Sequence, residues 1–193
     1  MSPPEPARRQ ALQQRIADAI VEAAASTLAH GGDRVSMHDV AAEAGVARAT
    51  LYRYFPSRQA LVEEVGRLAA SDAGARLRSA RLGEVSVEEG VARAVRALVE
   101  VGDLFIVLAR ERVRPDPEVF ESSLGAPLRT LVERGQEMGS LRDDVPNSWL
   151  TESLVGLVVS VLSVSPSMGT EDTIAVATSL FLQGASSARP DLE

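Results

Sequence analysis

Residues 45–58 read GVARATLYRYFPSR: three arginines, two tyrosines, a phenylalanine and no acid. The chain that holds them has 193 residues and a formal net charge of −7. A compact basic and aromatic strip in an acidic protein calls for a partner of opposite charge. Gly45 can take a positive φ and turn the chain sharply. Pro56 ends whatever helix precedes it, because the residue before a proline resists the α conformation. Between them the spacing predicts a short helix from about Ala47 to Tyr54. Leu51 and Phe55 lie on its inner side, with Val46 at the turn. Arg48, Ala49, Thr50, Tyr52 and Arg53 spread over its other faces.

Upstream, Ser36-Met-His-Asp39 reads as a capping box in its acidic variant, with Ser36 accepting from a free backbone N–H. Asp39 stands near the positive end of the helix dipole. Met37, Val40, Ala41 and Ala44 then form one apolar stripe, and the helix ends at Gly45. Before it, Ile16, Ile20, Ala23, Thr27 and Leu28 share a helical face, and Gly31-Gly32 ends that first helix. Met1–Pro6, with three prolines, reads as a disordered arm. Arg8 and Arg9 read as a solubilising tail or as a basic arm for a minor groove or phosphates. Two short helices separated by a glycine turn and supported by a longer one make a helix-turn-helix. The second of the pair has the size to enter a major groove about 12 Å wide. The missing acids fit that role, since a carboxylate against phosphate repels.

Downstream, Ser57 caps a long fourth helix over roughly 58–81. Ser86-Val-Glu-Glu89 caps the next. Helical runs follow over 103–113, 117–138, 146–164 and 170–186, the second of them bent near Gly125-Ala-Pro127 because proline removes a hydrogen bond. The expectation is an all-α chain of about nine helices: a helix-turn-helix DNA-binding domain over residues 1–57, then a larger helical ligand-binding and dimerisation domain over 58–193. Leu154–Val164, LVGLVVSVLSV, is apolar on nearly all sides and must be covered on more than one. A two-fold four-helix interface would do this, with Leu157, Val161, Ile174, Ala177 and Phe181 as its candidate residues, and a large monomeric core is the alternative. Leu104, Phe105, Leu108, Phe120, Leu124, Leu128, Leu131, Trp149 and Leu154 are candidates either for the lining of a mostly apolar pocket or for the core itself. Arg110, Glu111 and Arg112 are candidates to orient a polar group of a ligand, or face water.

Composition narrows the function. There is no cysteine, which excludes disulfides, thiol chemistry and zinc–thiolate sites. The two histidines, His30 and His38, both fall in the first sixty residues. The twenty-one acids after residue 60 mostly occupy polar helical positions. No phosphate-binding glycine loop or paired-histidine motif is present, so an enzyme, a metal site and a cofactor are not expected. MSPPEPARRQ has no apolar core and reads as no secretory leader. The longest apolar run falls short of the ~20 residues a bilayer needs, and a soluble cytoplasmic protein is expected. Residues 1–60 carry seven arginines and six acids, and residues 61–193 carry thirteen and twenty-one. The basic face is therefore small and local.

Residues 15–65, from RIADAIVEAAASTLAHGG through VSMHDVAAEAGVARATLYRYFPSRQALVEEV, resemble the DNA-binding domain of tetracycline-repressor (TetR) family regulators. The resemblance implies an all-α homodimer with one reading head per subunit, and a C-terminal domain that binds a small molecule and releases an operator in double-stranded DNA. It implies that Tyr52 and Tyr54 touch phosphates through their hydroxyls. Arg58 stands where the family usually has lysine, and its phosphate role survives as a planar fork. Ser36 is a further phosphate partner. Arg48, Ala49 and Thr50 face base edges, Arg48 suited to guanine and the other two to a thymine methyl. His38 is a candidate from the preceding helix. Arg53 reaches either a base or a phosphate. Ala47 departs from the family pattern, which often places a capping serine or threonine there. The competing readings are a helical small-molecule carrier with a vestigial helix-turn-helix, and a ligand-independent DNA-binding protein or activator.

Overall fold

The computed structural model describes residues 5–31, 34–113, 116–163 and 168–187. Among these are nine helices and no strand. They are α1 (Glu5–Gly31), α2 (Met37–Glu43), α3 (Arg48–Tyr54), α4 (Arg58–Ser79), α5 (Val87–Val99), α6 (Gly102–Glu111), α7 (residues 117–137), α8 (Asn147–Ser163) and α9 (Thr170–Ala185). A single antiparallel bridge joins Leu141 to Ser186. Helix α1 begins at Glu5, inside the expected arm, and residues 1–4 of that arm lie outside the described residues.

Local chemistry sets the ends. Ser57 accepts from the Ala60 N–H at 3.1 Å and Ser86 from the Glu89 N–H at 3.2 Å, so both expected caps form. Asp116 caps α7 through the Glu118 and Val119 amides, at 2.9 and 3.1 Å. The expected bend in α7 is a π turn over Glu121–Gly125, between α-helical segments Pro117–Phe120 and Ala126–Glu137. Pro127 has no N–H to offer the carbonyl four residues back, at Ser123. The wider turn shifts the register there, and the Ala126 N–H donates to the Glu121 carbonyl. Gly74 of α4 faces this turn: a Cβ on it would stand 3.1 Å from both the Cβ and the carbonyl oxygen of Ser123. The two helices meet there at backbone range.

Helix α4 runs through the middle. It packs on α1, α5, α6 and α7 and buries Leu61, Val62, Val65, Ala69, Ala70, Ala73 and Leu77. One core continues from Ile20 in α1, through Leu51 of α3 and all of α4, to Ala185 at the end of α9. The helix-turn-helix and the larger helical part therefore share their interior.

The candidate dimer residues divide. Ile174, Ala177 and Phe181 are buried within the chain, where α9 packs on α5 and α8. Leu157 and Val161 are half-buried. The periodicity found a real stripe on α9, but that stripe faces inward, because α5 supplies the apolar surface that covers it. What α8 and α9 turn outward includes Trp149, Val176 and Leu180.

Candidate nucleic-acid interface and effector cleft

The turn between α2 and α3 is built as its sequence requires. Gly45 sits at φ +66°. The Val46 N–H reaches back to the Ala41 carbonyl at 3.0 Å, which folds α3 against α2. Ala47 occupies the N-cap of α3 in an extended conformation and has no side chain to cap with. Ala47→Ser should raise stability by about 0.5–1 kcal/mol, measured as a shift in urea midpoint at constant slope. An unchanged midpoint would mean that the free amides of α3 are already satisfied.

Leu51 is the one buried residue of α3, and Phe55 is buried just beyond it. They hold the helix by its inner face. Arg48, Ala49, Tyr52 and Arg53 are exposed, while Thr50 and Tyr54 are half-buried. The guanidinium of Arg48 lies 5.5 Å from the Tyr52 ring centroid, and that of Arg53 lies 5.3 Å from Tyr54. Each such contact is worth roughly 0.5–1 kcal/mol at an exposed site. Together they keep two long cations spread across the outer face. No acid lies within residues 45–58 to neutralise them.

On α2, His38 is exposed. Ser36 is exposed too, and the capping box is complete. The Ser36 N–H donates to the Asp39 carboxylate at 2.8 Å, the Ser36 hydroxyl donates to it at 2.7 Å, and that hydroxyl oxygen accepts from the Asp39 N–H at 3.3 Å. The Ser36 N–H, and after it the Ser36 hydroxyl, hold the Asp39 carboxyl below its ordinary range, against a smaller opposing effect of burial. A phosphate at Ser36 would thus have to displace a carboxylate that is ionised at neutral pH.

Arg58 opens α4, and its guanidinium is engaged. Its Nε donates to both Glu111 carboxylate oxygens, at 3.2 and 3.1 Å; Nη2 donates to Glu111, and Nη1 to the Val35 carbonyl. Sequence reasoning named Glu111 only as a candidate for a ligand's polar group. The pair spans 53 positions, and no local pattern could have announced it.

A cleft of about 570 Å³ opens between the end of α1, the middle of α4, the α5–α6 junction and the facing ends of α8 and α9. Leu104 alone of the nine candidate pocket residues lines it. Leu131 lines a smaller groove near the end of α4. Phe105, Leu108, Leu124, Leu128 and Leu154 are core, Phe120 is half-buried, and Trp149, 68% exposed, faces outward. The cleft is lined by Ala29, His30, Leu104, Ile106 and Arg110 and by Val161, Leu162 and Met168. Asp72 and Glu100 also border it, joined through Arg76. Arg110 donates to the Ala29 and Leu28 carbonyls at the end of α1. His30 Nδ1 lies 2.8 Å from the Ser26 carbonyl. Among the described residues no group of His, Asp and Glu is arranged to hold a metal ion, and no helix is long and apolar enough to cross a membrane.

Residues 20–65 match the model of the family described as bacterial regulatory proteins, tetR family. The fold resembles the TetR-like transcriptional regulator LfrR of Mycobacterium smegmatis, solved with proflavine. The TM-score is 0.74 at 23% identity, over 90% of this chain and 97% of that one. It also resembles the TetR-family regulator PfmR of Thermus thermophilus, with a TM-score of 0.65 at 22% identity, over 85% and 94%. RolR, solved with resorcinol, gives 0.61 at 20% identity, over 95% and 98%. No curated protein matches the sequence.

Proposed function

We propose that this chain, whose residues 20–65 match the tetR family of bacterial regulatory proteins, is a dimeric, sequence-specific repressor released from its operator by a small molecule. The observation that carries this reading is the outer face of α3, where two arginine–tyrosine pairs stand exposed with no acid among them. Arg48 donates to a guanine edge, and Ala49 and Thr50 meet a thymine methyl. Tyr52 and Tyr54 bind phosphates through their hydroxyls, and Arg53 serves a base or a phosphate. His38 approaches from α2. Ser36 and Arg58 join the phosphate contacts only after exchanging their present partners.

Dimerisation uses the outward faces of α8 and α9. Trp149 and Leu180, 68% and 52% exposed, and Val176 are the exposed apolar residues there that a twin subunit would cover. Leu157 and Val161 flank them, while Ile174, Ala177 and Phe181 support them from inside. The effector enters the cleft beside α6. The relatives solved with proflavine and resorcinol support a small aromatic compound as its class. Because α4 borders the cleft and also begins at the head, its tilt sets the separation of two heads. Coupling of this kind is reciprocal, so DNA weakens effector binding as much as the effector weakens DNA binding.

Selection of bound duplexes from a random pool tests the reading. The expected product is a palindrome whose half-sites lie one helical turn, about 34–36 Å, apart. Its affinity should fall with salt at a log–log slope of about −0.9 per phosphate neutralised. Weak binding with a flat salt response would favour a small-molecule carrier, and binding without sequence preference a nucleoid-type protein.

A further inference from the structure

The last turn of α6 carries two adjacent side chains that both reach into the reading head. Arg110 donates to the carbonyls that end α1, and Glu111 takes the Arg58 guanidinium at the start of α4. Arg58 is held on two sides. Its Nε and Nη2 face the carboxylate, and its Nη1 faces the carbonyl of Val35, the residue before the Ser36 cap. The pair is half-buried, with side-chain exposures of 32% for Arg58 and 23% for Glu111. Immediately beyond it Arg112 adopts φ +54°, a left-handed conformation that side-chain-bearing residues disfavour. Strain of this kind persists only where the surrounding contacts fix the chain, so the end of α6 is held in place by what it grips.

We propose that Glu111 and the DNA backbone compete for Arg58, so that α6 controls operator affinity through an exchangeable ion pair. The proposal rests on the DNA-binding reading above. Arg58 lies at the start of α4, four residues after Tyr54, and bonds to the residue preceding Ser36. It thus sits at the junction of α2, α3 and α4, where the strand backbone would run. A guanidinium bound side-on by a carboxylate has its charge cancelled and its fork occupied. A phosphate gains it only when Glu111 lets go. Because Arg110 lines the cleft, an occupant that fixes α6 in its present position keeps Glu111 on Arg58 and lowers DNA affinity. Letting go frees the head to dock. The exchangeable pair supplies a contact that differs between the two states, which an effector needs in order to shift them.

The test is a titration of a labelled random-sequence duplex between about 50 and 200 mM salt, with wild type, Glu111→Gln, Arg58→Gln and the double variant. Glu111→Gln is expected to bind about tenfold more tightly, the strength of one charge-assisted hydrogen bond. Its salt slope should steepen by about 0.9, the mark of one added phosphate contact. In the Arg58→Gln background the same change should alter neither. If Glu111→Gln leaves affinity and slope as they are in a wild type that binds, the competition does not exist. If its gain survives undiminished without Arg58, the effect is one of net charge or of a loosened head, and the proposal fails. Should Glu111→Gln not fold, Glu111→Asp draws the carboxylate back while keeping its charge, and is expected to shift affinity the same way by a smaller factor; no shift overturns the proposal. Failure of the wild type to bind any duplex at low salt would instead remove the DNA-binding reading and this one with it.

Discussion

Leu51→Ala is expected to cost about 3 kcal/mol of folding stability, within the range of roughly 2–5 kcal/mol for buried leucine truncations, and to remove DNA binding at temperatures where most of the helix content survives. The reason is the economy of α3. It is seven residues long and Leu51 is its only buried residue. A helix that short has no stability of its own in water, because nucleation is unfavourable and propagation too brief to offset it. Its position therefore depends on tertiary anchors, of which Leu51, fully inaccessible, is the deepest. Phe55, the other anchor, lies past the last helical turn and cannot alone fix the helix against rotation. Urea titration followed by circular dichroism gives the stability, and a duplex titration gives the function. A loss under about 1 kcal/mol, well short of a core truncation, with normal DNA binding would mean that α3 is positioned by its outer face.

Arg48→Ala is the second large effect, and it separates reading from gripping. At the selected operator it should cost about 1–3 kcal/mol, and preference should relax at a single base pair per half-site. Arg48 is exposed, so folding stability should hardly change beyond the lost stack on Tyr52. The salt slope distinguishes the roles. A lost base contact leaves it unchanged, whereas a lost phosphate contact lowers its magnitude by about one unit. Tyr52→Phe provides the contrast, weakening all sequences alike. If Arg48→Ala leaves operator preference intact, Arg53 or a residue of α2 does the reading.

Most of the fold was legible because it is written locally. The capping box at Ser36, the caps at Ser57 and Ser86, the turn at Gly45 and the stop at Pro56 each depend on residues within four positions of one another, and all form as expected. The bend in α7 was legible as a bend but not as a π turn, because proline shows where a hydrogen bond is lost and not how the register recovers. Periodicity located the stripe of Ile174, Ala177 and Phe181 without saying which surface covers it. An inward stripe and a dimer stripe look alike until α5 is in place. Core and pocket lining could not be told apart for a related reason: Phe105, Leu108, Leu124, Leu128 and Leu154 pack completely while Leu104 borders the cleft, and packing is a property of all the helices together. Arg58 was assigned by resemblance to phosphate, and its carboxylate partner comes from a helix end 53 positions away.

The continuous interior of α4 limits how this molecule can be taken apart. A chimera severed between Ser57 and Arg58, meant to graft the reading head onto another scaffold, would leave Leu61, Val62 and Val65 on the wrong side of the cut. The transplanted piece would lose the surface on which its own helices rest. On the proposed reading, recognition is not a module that a cut at residue 57 detaches, and a graft has to carry the first turns of α4 with it.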